Sequence, residues 1–391
     1  MQTGLEVLLA DENTLEKLRH LRVGVLAHAA SITSRGEHIV FALRDSGIRP
    51  SRIFAPEHGL WGAAQDMEGV DHCHDDITGQ DVVSLYGHSL ESLSPDDGVL
   101  CGLDAIILDV QDVGARYYTF AYTALFVAQA ALKKGMDVYV IDRPNPINGE
   151  SLEGNLVEPA FRSFVGMRSG MTRHGMTLGE MLTMWCTTER TPNLERLHIC
   201  RMDGYDRRWW YDQTGCTWAM PSPNMPTLDT AVIYPGMCLI EGTNLSEGRG
   251  TTRPFELFGA PWVRTRETAE ALRLLHLPGV FFRPLDFKPM FQKHAGMTCH
   301  GFQMHVTDRD AFRPLLTGVA ILCVMSALHD EFAWRTETYE FVNDRLAIDL
   351  LFGNDRVRQA IERQENPWKI AESFEQETAE WQKMRRDFLM Y

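Results

Sequence analysis

Asp104-Ala105-Ile106-Ile107-Leu108-Asp109-Val110 is an apolar run framed by aspartates, and a helix-length stretch from Tyr117 to Lys134 follows it. A second run, Asp137-Val138-Tyr139-Val140-Ile141-Asp142, stops at Arg143-Pro144-Asn145-Pro146. Both runs are too short for helices and are apolar without alternation. That pattern predicts parallel strands buried on both faces. Upstream, Arg22 to Ala27 repeats it and leads into a helical stretch over Glu37 to Asp45. Arg52-Ile53-Phe54 enters Ala55-Pro56-Glu57-His58-Gly59-Leu60-Trp61-Gly62, a strand ending in a glycine-bounded polar loop. Leu197 to Met202 and Met237 to Glu241 read as two further strands. The expectation is an α/β chain with a Rossmann-like parallel-sheet domain over residues 1–261. A smaller α/β domain over 262–391 follows. It has strands at Val280 to Arg283 and Gly301 to Val306, and helices at Arg309 to His329, Asp344 to Phe352 and Pro367 to Phe388. In the last helix Ile370, Phe374, Trp381, Met384 and Phe388 recur at steps of three, four or seven, which predicts one buried face.

Composition removes several function classes. At 391 residues the chain is long enough for two domains. Its 53 acidic residues outweigh 38 basic ones, giving a net charge of −15, so nucleic acid is not an expected partner. No run approaches the roughly 18 apolar residues of a membrane span. The start, Met1-Gln2-Thr3-Gly4-Leu5-Glu6-Val7, has no basic region or long apolar stretch, so a cytoplasmic product is expected for the sequence as written. Eight scattered cysteines without a CxxC pair read as reduced thiols. Ala27-His28-Ala29-Ala30-Ser31-Ile32-Thr33 follows the first strand where a dinucleotide-binding fold needs GxGxxG. No GxxxxGK[ST], GxSxG or HExxH is present, so no cofactor and no metal are expected.

A parallel sheet brings its strand ends to one edge, where open α/β sheets bind ligands. Here the ends deliver His28, Ser31 and Thr33, then Glu57 and His58. They also deliver Asp109, Gln111, Asp112, Arg116 and Tyr118, then Asp142, Arg143 and Asn145. Later segments add Arg173-His174-Gly175, Ser222-Pro223-Asn224, and Glu241 through Thr251 with Asn244 and Arg249. Carboxylates mixed with arginines, asparagines and aromatics suit a carbohydrate bearing an anionic substituent. Glycosidic cleavage needs a carboxylic acid to protonate the leaving oxygen and usually a second group at the anomeric carbon. Glu57 fits the acid, with Glu68, Asp112 or Glu241 as its partner, and His58 orients Glu57 or a sugar hydroxyl. The substrate-binding candidates are His28, Glu68, Arg116, Tyr118, Arg143, Asn145, His174, Asn224, Asn244 and Arg249.

Structural roles compete for some of these. Asp109 reads as a strand-end acceptor of backbone hydrogen bonds, and Asp142 with Arg143 as an ion pair fixing the Pro-Asn-Pro turn. His174 either caps the turn at Gly175 or faces the site, and Glu241 is either a neutral or paired buried acid or a catalytic one. The set His28, His58, Asp112 and His174 keeps a metal-dependent hydrolase as a minor reading.

These motifs, taken in order, resemble a known family. The blocks are Pro56-Glu57-His58-Gly59, Ser84-Leu85-Tyr86-Gly87, Asp109 through Thr119, Asp142-Arg143-Pro144-Asn145-Pro146, Arg173 through Thr177, Pro221 through Thr227, and Glu241 through Thr251. Gly259-Ala260-Pro261-Trp262, Gln303 through Arg309 and Phe388-Leu389-Met390-Tyr391 continue them to the end. The chain is similar to the bacterial exo-β-N-acetylmuramidases of the NamZ type. That resemblance implies release of terminal N-acetylmuramic acid from the non-reducing ends of peptidoglycan fragments such as MurNAc-GlcNAc. It also implies two domains with the site in the cleft between them, and the leading catalytic role for Glu57. The lactyl carboxylate of muramic acid would account for an arginine, Arg116 or Arg249. The rival expectation is a muropeptide-binding protein without turnover.

Overall fold

The apolar runs assemble into one seven-stranded sheet. Its strands are β1 (Val23–Ala27), β2 (Arg52–Ala55), β3 (Cys73–Asp75), β4 (Gln80–Ser84), β5 (Ala105–Asp109), β6 (Asp137–Ile141) and β7 (Leu197–Cys200). The structure is a computed structural model that describes residues 1–65, 67–87 and 89–391. Strand order is β3-β4-β2-β1-β5-β6-β7, parallel throughout except for the antiparallel edge pair β3–β4. Every residue of β1 and β5 is buried, which is why these segments read as continuous apolar runs.

Alternate side chains feed two cores. Val23, Val25, Ile53 and Ile107 point to one face, under the helices Gly4–Ala10, Glu12–Arg19 and Ile39–Asp45. Leu26, Phe54, Ile106 and Leu108 point to the other, under the helices Phe120–Lys133 and Leu178–Thr188. That second core continues without a break into the rest of the chain. There a smaller antiparallel sheet, ordered β8-β10-β9, is built from β8 (Leu257–Ala260), β9 (Val280–Phe287) and β10 (Cys299–Val306). Among the described residues no helix is long and apolar enough to cross a membrane.

Several expected elements differ. Met237 to Glu241 is not a strand: a helix covers Leu228–Met237 and a 3-10 turn covers Cys238–Gly242. The segment is buried on all sides, so it carries no periodicity that separates helix from strand. Its helix crosses Pro314–Leu328 at backbone contact, since a Cβ on Gly236 would stand 1.9 Å from the Pro314 carbonyl oxygen. The helix expected over Arg309 to His329 starts only at Pro314. The carboxylate of Asp308 holds the preceding turn through the amides of Asp310 and Ala311. The last helix is broken into Pro367–Glu372, Glu375–Arg385 and a short 3-10 turn. Ile370, Phe374 and Trp381 are buried as expected, but the break turns Met384 outward to 38% exposure.

The last residues pack back onto the parallel sheet. The Tyr391 hydroxyl donates to Asp142 Oδ2 at 2.8 Å, and the Met390 amide donates to Glu180 Oε1 at 2.8 Å. Asp142 also accepts from the Thr177 hydroxyl and the Gly179 amide. Burial, aided by nearby Glu180, pushes its carboxyl up to about 6 in spite of those donors. The native chain therefore binds the proton more tightly than the unfolded chain. Stability from this group is full below about pH 4 and is lost as pH rises toward 6. Asn at this position keeps one acceptor for the Gly179 amide and donates to hydroxyls that rotate to accept. Asp142→Asn should thus fold and flatten melting temperature against pH between about 4 and 6. An unchanged slope would mean that other groups set it.

Candidate active site

β2 ends at Ala55, and Pro56 and Glu57 leave the sheet at its carboxyl edge. His58 and Gly59 follow with φ of 71° and 79°, so the chain turns back sharply. Only the second is a residue that adopts this conformation without cost. The His58 ring holds the turn: Nδ1 lies 2.9 Å from the Ala64 carbonyl oxygen, which makes Nδ1 the donor and, in the neutral ring, leaves Nε2 to accept. Glu57 is buried, with Oε1 accepting from the Met67 amide at 3.2 Å and Oε2 from the Thr119 hydroxyl at 2.9 Å. Thr119 and Tyr118 belong to the lead-in before the helix, which begins at Phe120 rather than at the expected Tyr117. That delay leaves both side chains at the sheet edge.

Glu57 and His58 line a cavity. Tyr118, Asn224, Phe255, Glu241, Arg249, Tyr339 and Glu340 also line it. Its free space is about 40 Å³, room for a few waters, and it is partly open to solvent. Of the three expected partners of Glu57, Glu241 alone shares this cavity. It accepts from Arg249 Nη2 at 2.6 Å and from the Tyr339 hydroxyl at 2.7 Å. Burial favours its neutral form, but Arg249, Tyr339 and Lys293 outweigh burial and hold the carboxyl below its ordinary range. Glu241 is therefore both a paired buried acid and a cavity-facing anion. Arg249 also lies 3.4 Å from Glu247. Its loop can pass this close because Gly250 has φ of 78°, and a Cβ there would meet the Phe291 amide at 2.7 Å.

Asp112 and His174 meet elsewhere, in a second cavity behind Tyr118. His174 Nδ1 accepts from the Met176 amide, so Nε2 carries the proton and lies 3.2 Å from Asp112. Asp112 accepts in turn from the Gly114 amide at 2.6 Å. Tyr118 lines both cavities.

Several expected ligand-binding residues instead brace the scaffold. His28 Nδ1 donates to the Pro221 carbonyl while Nε2 accepts from the Gln111 amide, tying the Ser222–Asn224 loop to the ends of β1 and β5. Burial holds that ring neutral, its pKa pushed down to about 3. Asn224 reaches Gln65 at 3.0 Å. Arg116 donates to the carbonyls of Asn155, Gly170, Leu351 and Phe352, which commits Nη1 and Nη2 to backbone. Arg143 forks onto Asp109, not onto Asp142, at 2.5 and 2.8 Å. Asp109 is thus an ion-pair partner rather than a backbone acceptor. Asn145 closes its own turn through Ile147 and Met176. Asn244 bonds Glu331 and Ala333 on an outer groove. Glu68 is exposed and caps the Gln65 amide. Among the described residues no three His, Cys, Asp or Glu side chains converge to hold a metal ion.

Tyr339 and Glu340 were not singled out by sequence. They lie in a loop where Glu340 and Phe341 have φ of 46° and 67°, and Tyr86 donates to Glu340 at 3.2 Å. Only the adjacent aromatic and acid hinted at them.

A cleft that sets one glutamate beside a rotatable hydroxyl and fixes another as an anion can protonate an ether oxygen and steady a positive carbon, the equipment of a glycosidase. The chain belongs to the exo-β-N-acetylmuramidase NamZ family, whose N-terminal region matches residues 23–229 and whose C-terminal region matches 232–391. Peptidoglycan β-N-acetylmuramidase NamZ of Bacillus subtilis is 39% identical over all of this chain and 91% of its own length. A crystal structure of a DUF1343 family protein from Bacteroides fragilis superposes with a TM-score of 0.85 at 28% identity, covering 100% of this chain and 98% of that one. A second from the same organism, at 24% identity and a TM-score of 0.75, covers the same shares and shares the fold.

Proposed function

We propose that the chain removes N-acetylmuramic acid from the non-reducing end of peptidoglycan fragments, MurNAc-GlcNAc being the smallest. The observation that carries this is that Glu57 and the anionic Glu241 line one cavity. Glu57 protonates the glycosidic oxygen. Its neighbour suits both protonation states, because the Thr119 hydroxyl donates to a carboxylate or accepts from a carboxylic acid. Glu241 faces the oxocarbenium-like charge that grows as the bond breaks. His58 Nε2 accepts a sugar hydroxyl, its ring already fixed by Ala64. Residues 1–261 carry Glu57 and Glu241, and residues 262–391 close the cleft with Tyr339 and Glu340.

The test is incubation with MurNAc-GlcNAc and, separately, GlcNAc-MurNAc, reading free sugars by mass spectrometry. N-acetylmuramic acid should appear only from the first and survive a chelator. Binding of the disaccharide without release would favour the muropeptide-binding reading. Loss to a chelator and recovery with metal would favour a metal-dependent hydrolase.

A further inference from the structure

Muramic acid differs from its sibling amino sugar by a lactyl carboxylate, so a site selective for it needs a cation that can turn to meet that group. Most cations around the cavity are committed. Arg116 holds four backbone carbonyls, Arg143 forks onto Asp109, and Arg249 is held by Glu241 and Glu247. Lys293 donates to the carbonyls of Ile240 and Glu241 and to the Glu247 carboxylate.

Arg335 is different. Its backbone amide is fixed to the Gly242 carbonyl at 2.9 Å, just past Glu241. Its guanidinium lies over the Tyr339 ring, 5.2 Å from the centroid, and Nη2 approaches Met67 Sδ at 3.9 Å. Tyr339 and Met67 both line the Glu57 cavity, and the Met67 amide is a donor to Glu57 itself. The remaining contacts are weak: Thr338 O at 3.5 Å and the exposed Glu337 carboxylate, 3.9 Å from Nε. The side chain is 21% exposed and lines a separate groove of about 480 Å³.

We infer that Arg335 receives the lactyl carboxylate of the sugar bound beside Glu57 and thereby selects muramic acid; this rests on the hydrolase reading above. With its Cζ held over the Tyr339 ring, the guanidinium keeps N–H groups for a two-pronged grip on a carboxylate. A thioether, a long carbonyl contact and a solvated glutamate are weak competitors for those groups.

The experiment compares 4-nitrophenyl β-N-acetylmuramide with its lactyl methyl ester, the same glycoside without the charge. The wild type should favour the acid by about 30-fold in kcat/KM, the value of one charge-assisted pair. Arg335→Gln should bring that ratio near one by losing the acid alone, and Arg335→Lys should restore part of it. Melting transitions report whether each variant is folded. A preference unchanged in Arg335→Gln, an equal loss on both glycosides, or a wild type with no preference overturns the assignment. A wild type that cleaves neither glycoside nor the disaccharide removes the hydrolase reading itself, and this proposal with it.

Discussion

Glu57→Gln is expected to cut release of N-acetylmuramic acid from MurNAc-GlcNAc by about 10³-fold, within the range for a positioned general acid. The loss should depend on the leaving group. Departure of a sugar alkoxide requires a proton, whereas 4-nitrophenolate leaves without one, so the loss on the 4-nitrophenyl glycoside should stay below about tenfold. The substitution is mild on the fold. The oxygen of the introduced amide can accept from the Met67 amide, and its nitrogen can donate to Thr119 once that hydroxyl rotates. The destabilisation should therefore be no more than about 1 kcal/mol. Steady-state kinetics on the two substrates, with a melting curve, decide the matter. Equal losses on both would remove Glu57 from the acid role while leaving it in the site.

What the sequence disclosed follows from how locally each feature is determined. β1, β2, β5 and β6 are legible because burial on both faces writes itself as a short apolar run, and polar residues at the run's end reveal where the sheet edge lies. Glu57 is legible for the same reason, at the end of β2 and before a glycine turn. The helix over Leu228–Met237 is not, since an apolar stretch buried all round has no period to read.

Side-chain partners are set by tertiary packing, and here neighbours in sequence mislead. Asp142 and Arg143 stand side by side at the end of β6, so they point to opposite faces. Arg143 reaches Asp109 on the adjacent strand, while Asp142 turns to Thr177, Gly179 and Tyr391. Arg116 looks like a ligand-binding arginine and is a clamp on Leu351 and Phe352, far along the chain. Arg335, Tyr339 and Glu340 share a loop whose left-handed residues are neither glycine nor asparagine, so nothing in composition marks it.

Glu241→Gln should lower turnover by about 10²–10³-fold on the disaccharide and on the 4-nitrophenyl glycoside alike. A group acting on charge at the anomeric carbon is needed whichever group departs, so equal loss separates its role from that of Glu57. A neutral amide cannot supply that charge, although its oxygen can accept from Arg249 and its nitrogen can donate to the Tyr339 hydroxyl once that rotates. Arg249 keeps Glu247 at 3.4 Å. Exchanging a charged pair for this arrangement should cost about 2 kcal/mol near pH 7. The pH dependence carries a sign. Because the native Glu241 carboxyl lies below the ordinary value of 4.5, its contribution is complete above that value and is lost as pH falls through the depressed one. Wild type and variant should therefore converge in stability only in acid, below the ordinary value of 4.5. Tyr339→Phe, which removes one donor but keeps the carboxylate, should reduce turnover about tenfold. If Glu241→Gln loses stability but no turnover on either substrate, the Arg249–Glu241–Tyr339 cluster is a structural brace, and the charge at carbon must be met by another group facing the cavity, with Glu340 the first to substitute.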